Sequence, residues 1–334
     1  MSGSSPKEAK NPYQQLVIAR QFSVRRTELT CPAHSLKMMS KAAASTADEV
    51  ILDLEDSCAV SQKVEARKTL VEALTTLDFK GKIRAFRPNS VRTRFFYRDV
   101  IDVVEQAGQF VDVLVLPKAL GPEDVLFADR LLSQIEEAVG LPHGRIKIEA
   151  LIESASGVLK AEQIAACTPR MAGLIFGIAD YAGDIGAKEL TGEQFQVYHY
   201  PKAHTIAAAR AAGIDVVDNV TLQFKDLDQC RRDSQKASQM GFDGKWAIHP
   251  SQVDVINEVF TPSGKELERA LAILDAYRRA DVEAGQGAIV FGDEMVDAAT
   301  LRVEWKKIAV ARRAGLVDEN DRMIQQPVKK AEGA

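Results

Sequence analysis

Short apolar runs alternate with segments of helical periodicity along most of the chain. The runs predicted as strands are 28–32, 49–54, 83–86, 111–118, 146–152, 171–176, 214–217 and 245–250. Most are near-continuous in Val, Ile and Leu rather than alternating, the pattern of parallel strands covered on both faces. Between them the spacing predicts helices over 38–47, 61–77, 98–106, 122–139, 157–167, 204–212, 227–240 and 251–259. Val64, Leu70, Val71 and Leu74 share one face of the second helix, with Ser61 as its N-cap. Pro122 suits an early helical position. Gly213 and Gly241 stand where a left-handed C-cap is expected. Eight strand–helix alternations predict an α/β fold, a (β/α)8 TIM barrel. A doubly wound sheet is disfavoured because no Gly-rich first turn follows the first strand. Beyond Thr261-Pro262 a long helix (263–284), a small hairpin turning at Gly292-Asp293 and a last helix (298–314) predict a C-terminal helical and hairpin appendage.

The division expected is a flexible N-terminal tail over 1–20, a catalytic barrel over 21–260, and a lid appendage with its tail over 261–334. The chain has 334 residues, 46% hydrophobic and 27% charged, an ordinary globular composition. Its net charge of −4 argues against non-specific nucleic-acid binding. No apolar run is long enough to span a membrane, and the polar start lacks the pattern of a secretory signal. Four widely spaced cysteines suggest neither a zinc site nor a disulfide framework. A cytoplasmic protein with free thiols is expected.

Functional groups in such barrels stand at the C-terminal ends of the strands. Here those ends offer Glu55-Asp56, Arg87, Lys118, Glu153, Asp180 and His249-Pro250. Glu153 and Asp180 end consecutive units, and two carboxylates with room for water and substrate is how magnesium is usually held. Each also reads as an acid capping the helix that follows. Arg87 offers a planar fork for a carboxylate, or else an ion pair with Glu55 or Asp56. Those two acids suit a supporting role behind a metal, and Asp56 equally suits a helix cap. Lys118 reads as a member of the same charged network. His249 stands before a proline and reads either as a ligand contact or as a buried, hydrogen-bonded histidine. Arg26, with Arg25, Lys37 and Lys41, forms a basic cluster around the first strand, read as a solvated face or as a phosphate contact.

The strand-end segments match a family in their order along the chain. Arg26-Thr27-Glu28-Leu29 with Pro32, Leu52-Asp53-Leu54-Glu55-Asp56, Arg87 with Asn89, Leu116-Pro117-Lys118, Ile152-Glu153-Ser154-Ala155, Phe176-Gly177-Ile178-Ala179-Asp180 and Gly241 through Gln252 are similar to the citrate lyase β-subunit-like and malyl-CoA lyase group of the HpcH/HpaI aldolase superfamily. The resemblance implies a Mg2+-dependent carbon–carbon lyase, with Mn2+ as an alternative ion. Such an enzyme cleaves a malyl-, citramalyl- or citryl-CoA type thioester to acetyl-CoA, or a homologue, and a 2-oxo acid, or runs the condensation. It implies Glu153 and Asp180 as metal ligands and Arg87 as the grip on the oxo acid. Lys118, Arg26, His249 and Pro250 fall at substrate-binding positions. Asp297, on the appendage, is implied as the acid–base group reaching a neighbouring subunit's site, hence a homotrimer or hexamer. A thioesterase on the same scaffold and a subunit of a multi-chain citrate lyase are the alternatives. The chain departs from the family pattern at Pro32-Ala33-His34 and at Tyr200-Pro201-Lys202, and its 184–199 stretch is short.

Overall fold

The structure is a computed structural model and describes residues 24–188, 197–284, 287–318 and 322–323. The expected tail over 1–20 lies outside the described residues. Eight parallel strands close into a barrel in sequence order: β1 (Thr27–Pro32), β2 (Glu49–Asp53), β3 (Ile83–Arg87), β4 (Val113–Leu116), β5 (Lys147–Ile152), β6 (Met171–Phe176), β7 (Asp215–Asp218) and β8 (Gly244–Ala247). Pairing of Thr27 with Lys245 and of Leu29 with Ala247 closes the ring. The (β/α)8 expectation is therefore met.

The strands read as unbroken apolar runs because each face is buried. Outward residues such as Val50, Leu52, Phe86, Leu114, Ile148 and Phe176 pack under the helices. Inward residues alternate with them and form layers across the barrel. The middle layer is apolar, built from Ile51, Ala85, Val115, Leu151, Ile175, Val217 and Trp246. Above it, at the C-terminal ends, β2 and β3 pair Asp53 with Arg87. Below it, β1 and β2 pair Glu28 with Glu49. The barrel interior is thus polar at both ends and apolar between, and the mouth inherits a rigid base.

Local differences from the periodicity have physical causes. The helix after β2 runs Lys63–Thr76 behind a short 3-10 turn, Val60–Gln62, with Ser61 inside the turn and no side-chain cap. Val64 is exposed, because the buried face is Ala66, Leu70, Ala73 and Leu74 together with the aliphatic stem of Lys63. Its ammonium donates to the carbonyls of Leu54 and Glu55 at 2.9 and 2.8 Å. The segment after β5 is two short helices, Ala155–Leu159 and Ala161–Ala166; Ser154 caps the first by accepting from the Gly157 N–H. The helix before β7 begins earlier than its periodicity suggests, at His199, and ends at Gly213 with φ +74°. β8 stops at Ala247, and Pro250 opens the helix Pro250–Phe260 rather than ending the strand. Gly241 takes φ +110° after the helix Leu227–Met240.

The chain divides into two compact units, of which Arg25–Phe260 is the barrel. The other unit, to which both Val24 and the chain from Thr261 onward belong, has a core of its own, where Leu267, Ile273, Leu274, Val296, Trp305 and Ile308 are buried together. It contains the helix Gly264–Ala284, a hairpin of β9 (Ala288–Phe291) and β10 (Glu294–Asp297) turning at Gly292 with φ +62°, and the helix Ala298–Arg313. Among the described residues no helix is long and apolar enough to cross a membrane. All four cysteines are free thiols.

Candidate active site

Glu153 follows β5 and is 3% exposed. Its Oε1 accepts the Lys118 backbone N–H at 2.7 Å. Lys118 achieves this with φ +53°, a left-handed conformation that costs a non-glycine residue energy and is stored at sites where geometry matters. Gly177 stands against the same carboxylate. A Cβ at this position would come within 2.6 Å of Glu153 Cβ and Oε2, so the absence of a side chain there leaves the acid its space. Burial pushes the Glu153 carboxyl up to about 8, and the charges of Glu55 and Asp180 add to the effect against Arg87.

Asp180 is not on β6 itself. The strand ends at Phe176, and Asp180 sits in the first turn of the helix Ile178–Asp184. It lines the same cleft as Glu153, together with Thr30, Arg87, Asn219 and Trp246. Arg87, at the end of β3, is locked. Nε and Nη2 donate to Asp53 Oδ1 and Oδ2, both at 2.7 Å, and Nη1 lies 3.1 Å from Glu55 Oε2. The guanidinium also lies 5.2 Å from the Trp246 ring centre. The ion pair with Glu55 foreseen as one alternative is therefore present. The dominant partner, however, is Asp53, which strand-end spacing does not single out. Inward alternation from Glu49 through Ile51 does point to it. Asp53 further accepts from Ser57 Oγ at 2.5 Å and from the Glu55 N–H at 2.8 Å.

Lys118 Nζ stands among acids, 2.8 Å from Glu55 Oε1, 3.3 Å from Asp56 Oδ1 and 3.7 Å from Asp180 Oδ1. Burial alone would lower its ammonium; the hydrogen bond and charge of Glu55 outweigh it and hold the group above the ordinary lysine value. Glu55 is buried and Asp56 exposed, so the first is fixed between Arg87 and Lys118 while the second is free to meet water. Asn89, paired with Arg87 in sequence, turns to Asp99 and the Leu54 carbonyl and supports the loop from behind.

Other expected site residues lie elsewhere. Arg26 precedes β1, at the opposite end of the barrel from the mouth, and is clamped on Asp48 at 2.8 and 2.7 Å. The pattern of basic residues around the first strand did not reveal which end of it they occupy. His249 and Pro250 are exposed rather than buried. The His249 Nδ1 is 2.8 Å from Ser251 Oγ and its ring tilts on Phe224 at 5.0 Å, while neighbouring Ile248 lines the cleft. Asp297 caps the last helix, accepting the N–H groups of Ala299 and Thr300 at 2.9 Å each. At the two departures from the family pattern, Ala33 is buried with its N–H on the Asp53 carbonyl at 2.9 Å, and Lys202 is buried with Nζ 2.8 Å from Asp218 Oδ1.

The donor set fits a hard divalent cation. Glu153 and Asp180 supply carboxylate oxygens, and the elevated Glu153 carboxyl marks a place short of positive charge. Among the described residues no third acid closes with these two into a tight trio, so water and substrate oxygens would complete a magnesium shell.

Known proteins carry the same arrangement of segments. The HpcH/HpaI aldolase/citrate lyase family matches residues 26–250. An L-malyl-CoA/beta-methylmalyl-CoA lyase of Cereibacter sphaeroides is 38% identical over 292 residues, covering 83% of this chain and 91% of that protein. A (3S)-malyl-CoA thioesterase of the same species is 35% identical, covering 84% of this chain and 92% of that protein. Among solved structures, CitE of Mycobacterium tuberculosis in complex with magnesium, acetoacetate and coenzyme A aligns with a TM-score of 0.71 at 30% identity, covering 87% of this chain and 98% of that chain. With a closed eightfold barrel, acids gathered at its mouth and these matches along nearly its whole catalytic length, the chain belongs to the HpcH/HpaI aldolase/citrate lyase family.

Proposed function

We propose that this chain is a Mg2+-dependent lyase that cleaves a 3-hydroxyacyl-CoA thioester of the malyl type to acetyl-CoA, or a homologue, and a 2-oxo acid, and catalyses the reverse condensation. The observation that carries the reading is the buried Glu153 carboxyl. It shares a cleft with Asp180 and with an arginine fixed for carboxylate recognition. Glu153 and Asp180 would hold the ion, and Mn2+ would suit the same oxygens. When bound, the ion polarises the oxo-acid carbonyl as a Lewis acid.

The chain's residues have distinct tasks. Asp53 takes two nitrogens of Arg87 and so fixes the orientation of the guanidinium toward the substrate carboxylate. Glu55 ties Arg87 to Lys118, which keeps both cations at the mouth. Phe176 and Trp246 wall the cleft with apolar surface and limit water. Asp297 supplies proton transfer at the thioester methyl carbon, contributed by the appendage of a neighbouring chain in a trimer or hexamer. Its carboxylate is held below the ordinary range by the Thr300 N–H and hydroxyl, so it is ionised at neutral pH and able to accept a proton. In cleavage the 3-hydroxyl gives its proton to the Asp297 carboxylate, the carbon–carbon bond breaks to leave a carbonyl and an enolate, and Asp297 returns that proton to the enolate carbon.

A screen of malyl-, methylmalyl-, citramalyl- and citryl-CoA with Mg2+, measuring oxo acid and acyl-CoA products together, tests this. Equal amounts of oxo acid and acetyl- or propionyl-CoA are expected, from a particle that light scattering sizes as a trimer or larger. Free CoA with an intact hydroxy acid would instead establish the thioesterase reading, which the thioesterase relative motivates. Full turnover by a single-chain particle would remove the neighbouring-subunit role of Asp297.

Lys118 places a positive charge 3.7 Å from Asp180 Oδ1 and so opposes the metal. Lys118→Met is expected to bind Mg2+ about tenfold more tightly in calorimetry, a discounted Coulomb effect for a half-exposed pair. Weaker binding in that variant would mean the lysine helps to build the metal site rather than competing with it.

A further inference from the structure

The opposite end of the barrel holds a second concentration of charge that the reaction does not use. Arg25 crosses the floor just before β1, at a point where Gly244 has no side chain. A Cβ on Gly244 would fall 1.8 Å from the Arg25 carbonyl oxygen. The arginine side chain then reaches three carboxylates from three strands: Glu49 at 3.0 Å, Glu149 at 2.6 Å and Asp215 at 2.9 Å. Gly173 of β6 leaves open the space beside Glu149, where a Cβ would stand 3.2 Å from its Cγ. The whole assembly is sealed. Glu28, Glu49 and Glu149 are all 0% exposed.

Glu28 is the residue this ion network leaves over. It points inward from β1, in register with Glu49 on one side and Trp246 on the other. Neither of its carboxyl oxygens has a hydrogen-bond partner among the described residues. Among the described residues the carboxyls of Glu28, Glu49 and Glu149 gather around one guanidinium, that of Arg25, which also pairs with Asp215. Unpaired carboxylates buried without compensation cost several kcal/mol each.

We propose that the barrel floor is a structural cation site, separate from the mouth, in which Glu28, Glu49 and Glu149 bind one calcium-sized divalent ion. Ligand atoms of these three residues lie within 4.8 Å of one another. Calcium accepts a shell of protein oxygens, whereas magnesium keeps several waters that this sealed floor does not admit. The hard carboxylate set excludes a soft thiophilic metal. A divalent ion would compensate the Glu28 carboxylate, while Arg25 already pairs with Glu49 and Glu149. The site pins β1, β2 and β5 together below the apolar layer, so its effect is on stability and not on the chemistry at the mouth.

The rival is neutralisation by protons. Glu49 and Glu149 stand close enough for a carboxyl–carboxylate hydrogen bond, which one retained proton would supply. The test uses the full chain carrying Asp180→Asn, which weakens the mouth as a competing site. The protein is unfolded in guanidinium and refolded with calcium or with chelator, so that a closed floor does not limit access. The expected result is one calcium per chain by equilibrium dialysis and a melting temperature about 5 °C higher with calcium. Magnesium at the same concentration is expected to give a smaller shift. Glu28→Gln, which keeps the shape and removes the charge, loses both the bound ion and the shift. If the parent binds no calcium, the proposal fails whether or not the glutamine variant folds. It fails equally if the chain melts at the same temperature in calcium and in chelator while its stability declines from pH 7 to pH 9, the behaviour of a floor filled by protons.

Discussion

Glu153→Gln is expected to abolish lyase turnover, by about a thousandfold or more, and at the same time to make the metal-free protein more stable. The two effects have one origin. The wild-type carboxyl is 3% exposed and its ordinary value is raised to about 8. A group raised in the folded state binds its proton more tightly there than in the unfolded chain. Its contribution is therefore favourable at low pH and lost as pH climbs from the ordinary carboxylate range through about 8. At pH 7 the linkage cost is on the order of 3 kcal/mol, and a neutral glutamine does not incur it. The amide oxygen still accepts the Lys118 N–H, now at 2.7 Å from Oε1, so the strained loop keeps its anchor. What is lost is the charge proposed to hold a divalent ion, and with it the Lewis-acid activation such an ion would supply, worth several kcal/mol. Melting curves with and without Mg2+ check this: the ion should raise the wild-type midpoint and leave the variant's unmoved. A glutamine variant that melts lower than wild type without metal, or that keeps a tenth of the activity, would show that Glu153 is a structural acid.

The same residue explains how far the sequence carries. Strand order, the barrel, and the helix ends at Gly213 and Gly241 follow from periodicity, because a parallel barrel buries both faces of every strand and glycine alone adopts φ of +74° and +110° cheaply. The acids at the mouth were visible because they interrupt apolar runs. Asp53 was hidden because it stands inside such a run, two residues before Glu55 of the visible pair, and only the inward register of β2 exposes its role. Glu28, Glu49 and Glu149 were hidden for the opposite reason. They lie at strand beginnings, where a charged residue reads as the polar edge of a loop, although the ring closes around all three. Arg26 illustrates the same ambiguity, since nearness to a strand in sequence does not say at which end of the barrel a side chain emerges. Val64 fell on the wrong face because Lys63 lays its own stem against the core to reach the Leu54 and Glu55 carbonyls, rotating the buried side of the helix. For Asp297 the cap geometry was legible from sequence and its chemical role came only from resemblance.

Asp53→Asn is the companion substitution, and it separates positioning from direct chemistry. Burial pushes the Asp53 carboxyl up, but Arg87 outweighs burial and holds it below its ordinary value. A depressed acid contributes stability above its unfolded value and loses it as pH falls through the folded one, so the wild-type pair is intact at every pH from about 5 upward. The asparagine keeps shape and volume but leaves a guanidinium 7% exposed without its bidentate partner. Breaking a buried pair this way costs about 3–5 kcal/mol, read as a lower denaturation midpoint at unchanged m-value. The freed fork then turns toward Glu55, already 3.1 Å from Nη1, and away from the orientation proposed to meet the substrate carboxylate. In the condensation direction the KM for the 2-oxo acid should rise about 10- to 100-fold while the KM for the acyl-CoA changes little, because only the carboxylate grip is misaligned. Equal increases in both constants would indicate a general loosening of the barrel mouth. Unchanged stability and unchanged KM would show that Glu55 alone suffices to hold Arg87, and that the two 2.7 Å contacts with Asp53 are dispensable.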